Sequence, residues 1–198
     1  MSHVSNDAPP VLRSSRWRTF VRTWLLEPTL RRVPKTGRVL DLCCGYGFYF
    51  SINPNAVGID GDPQCVAALQ SQGRTAQLGN VLETLPYNDA SFDFVLAHDV
   101  LEHFIMPELD SLFDEIWRVL APDGVLIAWV PNRRGYDSGV NPEVGHRLFV
   151  TQKEIADLAG RRFVVESNIA EPLPRRLGEH FVHNKEVFRL SKRADRAS

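Results

Sequence analysis

The chain has 198 residues, 43% of them hydrophobic and 24% charged, with a formal net charge of −1. That length holds one domain with tails, and the composition suits a globular protein with a sizeable core. A net charge near zero removes any bulk electrostatic case for nucleic acid or a membrane surface. Charge is unevenly spread, however. Residues 76–117 hold no Lys or Arg but many acids, while the N-terminal segment (Arg13, Arg16, Arg18, Arg22, Arg31, Arg32, Lys35) and the C-terminal end (Lys185, Arg189, Lys192, Arg193, Arg196) are basic. Three cysteines, two of them adjacent and none in a zinc-type spacing, fit a reducing intracellular setting and give no metal site. No run is apolar for long enough to span a bilayer, and residues 1–10 lack the apolar segment of a signal peptide, so a cytoplasmic protein is expected.

Residues 1–10 are polar and form a loose tail. A helical pattern follows, with Trp17, Phe20, Val21, Trp24 and Leu25 on one face, divided by Pro28 and ended by Pro34. Residues 1–37 are read as this tail and helical segment. From residue 38 strands and helices alternate. Strands are expected at 38–42, 55–59, Thr75–Leu78, 92–97 and 125–130, the last apolar throughout and therefore central. Asp62-Pro63 opens a helix carrying Val66 and Leu69, and residues 108–119 repeat apolar positions at helical spacing. Residues 131–150 form a long aperiodic loop rich in Gly, Asn, Arg and Pro, and loops of that length in a compact domain are commonly functional. Thr151 caps a further helix with Glu154 three residues on; strands at 163–166 and 187–190 close the domain, which spans 38–190, and 191–198 is a basic tail. The alternation predicts an α/β fold, a Rossmann-like doubly wound sheet, mostly parallel with an antiparallel last strand and helices on both faces.

The most informative stretch is Val39-Leu40-Asp41-Leu42-Cys43-Cys44-Gly45-Tyr46-Gly47, a buried strand ending in an acid and running into a glycine turn. Gly45 and Gly47 let the backbone approach a ligand, and the helix expected after them would point amide groups at it. Phe50 stands where a dinucleotide site needs a third glycine, and no Gly-Lys-Ser/Thr follows, so dinucleotide and triphosphate loops are both excluded. Asp60 ends the second strand beside that turn, where its two oxygens suit the hydroxyls of a ribose. Asp62 is the competitor, but its place before Pro63 marks it as a cap.

Together with Leu85-Pro86-Tyr87-Asn88-Asp89-Ala90-Ser91-Phe92-Asp93, Asp99-Val100-Leu101-Glu102-His103 and Arg118-Val119-Leu120-Ala121-Pro122-Asp123-Gly124, this first motif resembles the class I S-adenosylmethionine-dependent methyltransferases of the small-molecule type. The resemblance covers about residues 38–132. It implies S-adenosyl-L-methionine as cofactor, with Asp41, Cys43, Gly45, Tyr46 and Gly47 around its methionine and ribose parts. It further implies Asp60 and Gly61 at the ribose, Asn80 and Val81 at the adenine, and His98 near the sulfonium. Three departures stand out: Cys43 replaces the first glycine and is expected to keep a negative φ, Asn80 replaces an acid, and the stretch from Asp41 to Asp60 is about one turn short.

Candidate catalytic bases are His98, His103 and His146; Glu102 stands where it could orient His103. Arg133, Arg134 and Tyr136, in the long loop with His146, suit either an anionic acceptor or plain solvation. The strand at 92–97 does not lead into the Asn/Asp-Pro-Pro-aromatic pattern of base-amine methylation, so a small-molecule acceptor leads. The alternatives are an RNA or protein methyltransferase docking through the basic termini, and a non-catalytic cofactor-binding protein. The chain is expected to act off the membrane, as a monomer or homodimer.

Overall fold

In the computed structural model, residues 33–131, 152–171 and 185–194 are described; the amphipathic segment at 17–25, Arg133, Arg134, Tyr136, His146 and the Thr151 cap lie outside them. Seven strands form one sheet: β1 (Val39–Leu42), β2 (Val57–Asp60), β3 (Thr75–Leu78), β4 (Phe92–His98), β5 (Leu120–Pro131), β6 (Phe163–Glu171) and β7 (Lys185–Lys192). Among the described residues the α-helices are α1 (Pro63–Ser71), α2 (Met106–Val119) and α3 (Gln152–Ala159). Strand order is β3-β2-β1-β4-β5-β7-β6. The first five strands pair in parallel, and β7 lies antiparallel between β5 and β6. The doubly wound architecture and its reversed final strand are as expected from the alternation. Chain direction along the sheet reverses between β1 and β4, the switch point at which such sheets bind ligands beyond their carboxyl ends.

Side-chain alternation sorts the core onto two faces. Leu40, Leu42, Val95, Ala97, Leu126, Ala128 and Val130 pack against Leu109, Leu112, Phe113 and Ile116 of α2 and Ile155 and Ala159 of α3. Val39, Leu96, Val125, Ile127 and Trp129 share the opposite face with Val66 and Leu69 of α1 and with Tyr49 and Phe50. Each fully buried Leu, Ile or Phe contributes about 1.5–3 kcal/mol, so the central strands are held from both sides. Asp41 and His98 fall, by the same alternation, on the α1 face.

Several boundaries differ from expectation for identifiable reasons. Helix α2 starts at Met106, two residues early, because Pro107 fills its first turn and Glu108 reaches back to accept a hydrogen bond from Ile105 N–H at 2.9 Å. Strand β2 begins at Val57, after Asn53 Oδ1 accepts from Asn55 N–H and turns the chain. Strands β6 and β7 are each longer than their apolar cores because they pair with one another over most of their length. The largest correction follows the glycine turn. The expected helix is absent there; one 3-10 turn, Tyr49–Ser51, is all that separates the turn from Asn53-Pro54. Apolar side chains, Tyr49 at 3% and Phe50 at 2% exposure, cover the sheet where a longer helix was anticipated.

Arginines staple the loops to the helices. Arg118 donates to Leu85 O, Tyr87 O, Asp89 and Glu115, fixing the segment ahead of β4. Arg162, buried, pairs with Asp110 and Asp114 of α2.

Candidate active site

Strand β1 ends at Leu42, and the chain then makes three left-handed residues within five positions: Cys43 (φ 50°), Gly45 (φ 50°) and Gly47 (φ 78°). The negative φ expected of Cys43 is therefore wrong. Cys44 N–H reaches back to Ile59 O at 3.2 Å and Gly47 N–H to Cys44 O at 2.9 Å, and these bonds hold the turn tight enough to force Cys43 left-handed. A Cβ on Gly47 would stand 2.3 Å from Leu69 Cδ2, so α1 packs directly on that glycine. At Gly45 a Cβ would meet nothing within 4 Å, which leaves an open cradle beside the backbone.

Asp60 locks this turn. Its Oδ2 accepts from Gly45 N–H at 2.7 Å and its Oδ1 from Asp62 N–H at 2.8 Å. Each oxygen keeps a second lone pair, enough for two ribose hydroxyls. Asp62 is confirmed as the cap of α1, accepting from Gln64 N–H at 2.8 Å. Gly79 N–H donates to Asp60 O at 3.0 Å, which draws Asn80 toward Asp60 and Gly61. Asn80 Oδ1 already accepts from Leu82 N–H at 3.0 Å, and Val81 is buried. Tyr46 is half exposed at the tip of the turn.

Asp41 is 6% exposed. Burial, reinforced by the Asp60 carboxylate, pushes its carboxyl up to about 7. The same causes push the Cys43 and Cys44 thiols up to about 12, so neither is a nucleophile at neutral pH, and burial raises the Tyr49 phenol to about 12. A cavity of about 170 Å³ opens on the α1 face, lined by Val33, Asp41, Cys43, Cys44, Phe48, Tyr49, Leu96, His98 and Trp129. His98 lies across from Trp129 in the β4–β5 register, and its Nδ1 is 3.6 Å from Asp99 Oδ2. Asp99 is itself left-handed (φ 55°) and donates its amide to Trp129 O at 3.1 Å. Asp41, Cys43 and His98 thus meet in one cavity. His103, in the 3-10 turn Leu101–His103, is not among the described residues that line it. Phe48, Tyr49 and Trp129 were not anticipated. The aromatic run directly after the glycine turn was the readable sign of the first two; Trp129 needed the strand register.

Among the described residues no cluster of His, Cys, Asp and Glu is placed to hold a metal ion, and no helix is long and apolar enough to cross a membrane. The features present fit an adenosyl cofactor: an open glycine cradle, an acid at the end of β2, and a buried acid beneath the turn.

Comparison with known proteins agrees. The family model described as "Methyltransferase domain" matches residues 40–128. A Mycolicibacterium smegmatis protein described as a "probable S-adenosylmethionine-dependent methyltransferase" is 31% identical over 142 residues, covering 66% of this chain and 53% of its own. A demethylmenaquinone methyltransferase of Lactobacillus johnsonii is 32% identical over 99 residues, covering 43% and 40%. The chain therefore spans about half the length, or less, of these curated relatives. A Pyrococcus horikoshii protein of known structure superposes with a TM-score of 0.68 at 24% identity, covering 92% of this chain and 93% of its own, which is a likeness of fold. Residues 40–128 therefore match a methyltransferase domain, and the chain is similar in sequence and fold to the class I S-adenosylmethionine-dependent methyltransferases.

Proposed function

We propose that the protein binds S-adenosylmethionine across the carboxyl ends of β1, β2 and β3 and moves its methyl group to a small organic acceptor seated beside β4 and β5. The observation that carries this reading is the Asp60 carboxylate bonded to Gly45 N–H at 2.7 Å, which joins the glycine cradle to the ribose-type acid in one rigid unit. Asp60 and Gly61 hold the ribose, Asn80 and Val81 border the adenine, and Asp41, Cys43, Gly45, Tyr46 and Gly47 surround the methionine end.

When bound, the cofactor supplies a methyl group on a positively charged sulfur, so activation comes with it. Asp60, Asp41 and the glycine turn would hold the cofactor, and the chemistry it would supply is a methyl group open to an acceptor's lone pair. Alignment in a dry pocket supplies much of the remaining acceleration, on the order of 7–11 kcal/mol. The Lactobacillus johnsonii relative, described as a demethylmenaquinone methyltransferase, is a precedent for a small organic acceptor. The acceptor roles read for residues 131–150 and His146 and for the N-terminal segment fall largely outside the described residues, and the protein works in the cytoplasm.

The test is transfer of a labelled methyl group from the cofactor in a cell extract separated into small molecules, RNA and protein. Label in the small-molecule fraction is expected. Label only in RNA or protein, or none despite cofactor binding, contradicts the reading.

A further inference from the structure

Asp41 is the buried acid of the site. It lies on the α1 face of β1, 6% exposed, and lines the cavity of about 170 Å³. Its register partner on β4 is the apolar Leu96, and on β2 it is Gly58, which has no side chain to offer. Among the described residues no hydrogen bond or ion pair holds its carboxyl, and the charge that bears on it is the like charge of Asp60. Asp60 is placed differently. It is only partly buried, and it accepts from two backbone amides, Gly45 N–H at 2.7 Å and Asp62 N–H at 2.8 Å. Two carboxyls thus share one turn, and only one of them has donors. Ionising both is costly unless a cation joins them.

No described group facing Asp41 carries a permanent positive charge. From the glycine turn come Cys43 and Cys44, and from the 3-10 turn Tyr49; burial pushes each up to about 12, so all three are neutral at neutral pH. The α1 helix brings Val66 and Leu69 to this face, both apolar. Asp60 acts on Asp41 from β2, and His98 shares the cavity from β4, with Asp99 3.6 Å from its imidazole. Burial and the Asp60 carboxylate accordingly push the Asp41 carboxyl up to about 7. A ligand that brings a positive charge into this cavity supplies what the surroundings lack, the countercharge under which Asp41 ionises.

The geometry points to proton-coupled binding of the cofactor's methionine end: Asp41 carries a proton in the free protein and gives it up when the ligand's ammonium group binds. The O–H bond of the carboxyl breaks, its electron pair stays on oxygen, and the proton goes to solvent. The carboxylate then pairs with an ammonium group that keeps all its own protons. Asp41 is thereby a binding residue that selects for the charged amino-acid end of the ligand at the expense of a proton. Affinity rises with pH until the free protein has already lost that proton, and then levels off. The inference rests on the cofactor reading above.

The test is calorimetric titration of the full chain with two probes, S-adenosylhomocysteine and 5′-methylthioadenosine. The second has the same nucleoside and sulfur but no amino-acid end. S-adenosylhomocysteine is expected to bind about tenfold tighter at about pH 7 than at about pH 5.5, with little further gain above that. At about pH 6 its binding should release about one proton, read from the difference in heat between two buffers of unlike ionisation enthalpy. The affinity of 5′-methylthioadenosine should change by no more than about twofold over the same range. Asp41→Asn should lose the pH dependence and the proton release for S-adenosylhomocysteine. That variant also separates Asp41 from His98, whose imidazole stays in place with its own titration. If Asp41→Asn does not fold or bind, the proton release of the wild-type chain and the comparison of the two probes decide. Equal pH dependence for both probes, no proton release at about pH 6, or a pH dependence unchanged in Asp41→Asn overturns the proposal. Failure of S-adenosylhomocysteine to bind at any pH is a separate readout and overturns the cofactor reading instead.

Discussion

Cys43 holds a backbone geometry that an L side chain resists by about 1–2 kcal/mol, at the position where the family's first glycine usually stands. Cys43→Gly should therefore be more stable than Cys43→Ala by about 1 kcal/mol in urea denaturation; equal stabilities would show that the turn relaxes out of the left-handed region. Asp41 makes a pH-dependent claim. Unfolded, an aspartate ionises near 3.9, whereas the folded group is raised to about 7 by burial and by Asp60. Between those values the folded chain holds a proton that the unfolded chain has released. Rising pH therefore removes stability, up to the order of 4 kcal/mol, and the loss levels off above about 7. The stability advantage of Asp41→Asn over wild type should grow from about pH 4 to pH 7 and then stay constant. A difference that is flat with pH would mean that Asp41 ionises freely in the fold. At this scale Asp41, Gly45, Gly47 and Asp60 were legible because each residue type answers to one local requirement. The φ of Cys43 was not, since it is imposed by Cys44 N–H reaching a different strand.

The elements show the same division between local and distant causes. Helix α2 was readable from its apolar spacing, and α1 from its Asp62-Pro63 start. The missing helix after β1 was foreseen only as a shortening. Gly47 and Asn53-Pro54 leave too few residues for more than a 3-10 turn, and burial of Tyr49 and Phe50 compensates. Tyr49 OH also donates to Pro34 O, tying that turn to the chain before β1. No local pattern marks Arg162 for burial, and the fold brings it against Asp110 and Asp114. Its guanidinium is buried while both partners are partly exposed, so Arg162→Ala should cost roughly 2–3 kcal/mol, between the values for surface and buried pairs. A loss near zero in thermal or urea unfolding would make the pairs incidental.

For the molecule as a whole, the mostly parallel sheet was legible from the alternation of strands and helices, and the site lies where the strand order seen in the structure reverses. Asp41 and His98 lie 57 positions apart in sequence yet meet because β1 and β4 pair at the switch point. The wall formed by Trp129 needed the β4–β5 register, which no local pattern encodes. The central claim is that Asp60, locked to the glycine turn, is the ribose partner of an adenosyl cofactor. Calorimetric titration with S-adenosylhomocysteine tests it most directly. One binding site is expected, weakened by about tenfold to a hundredfold in Asp60→Ala, the loss of charged hydrogen bonds to the ribose. No binding by the wild-type chain, or an Asp60→Ala affinity equal to wild type, would contradict it.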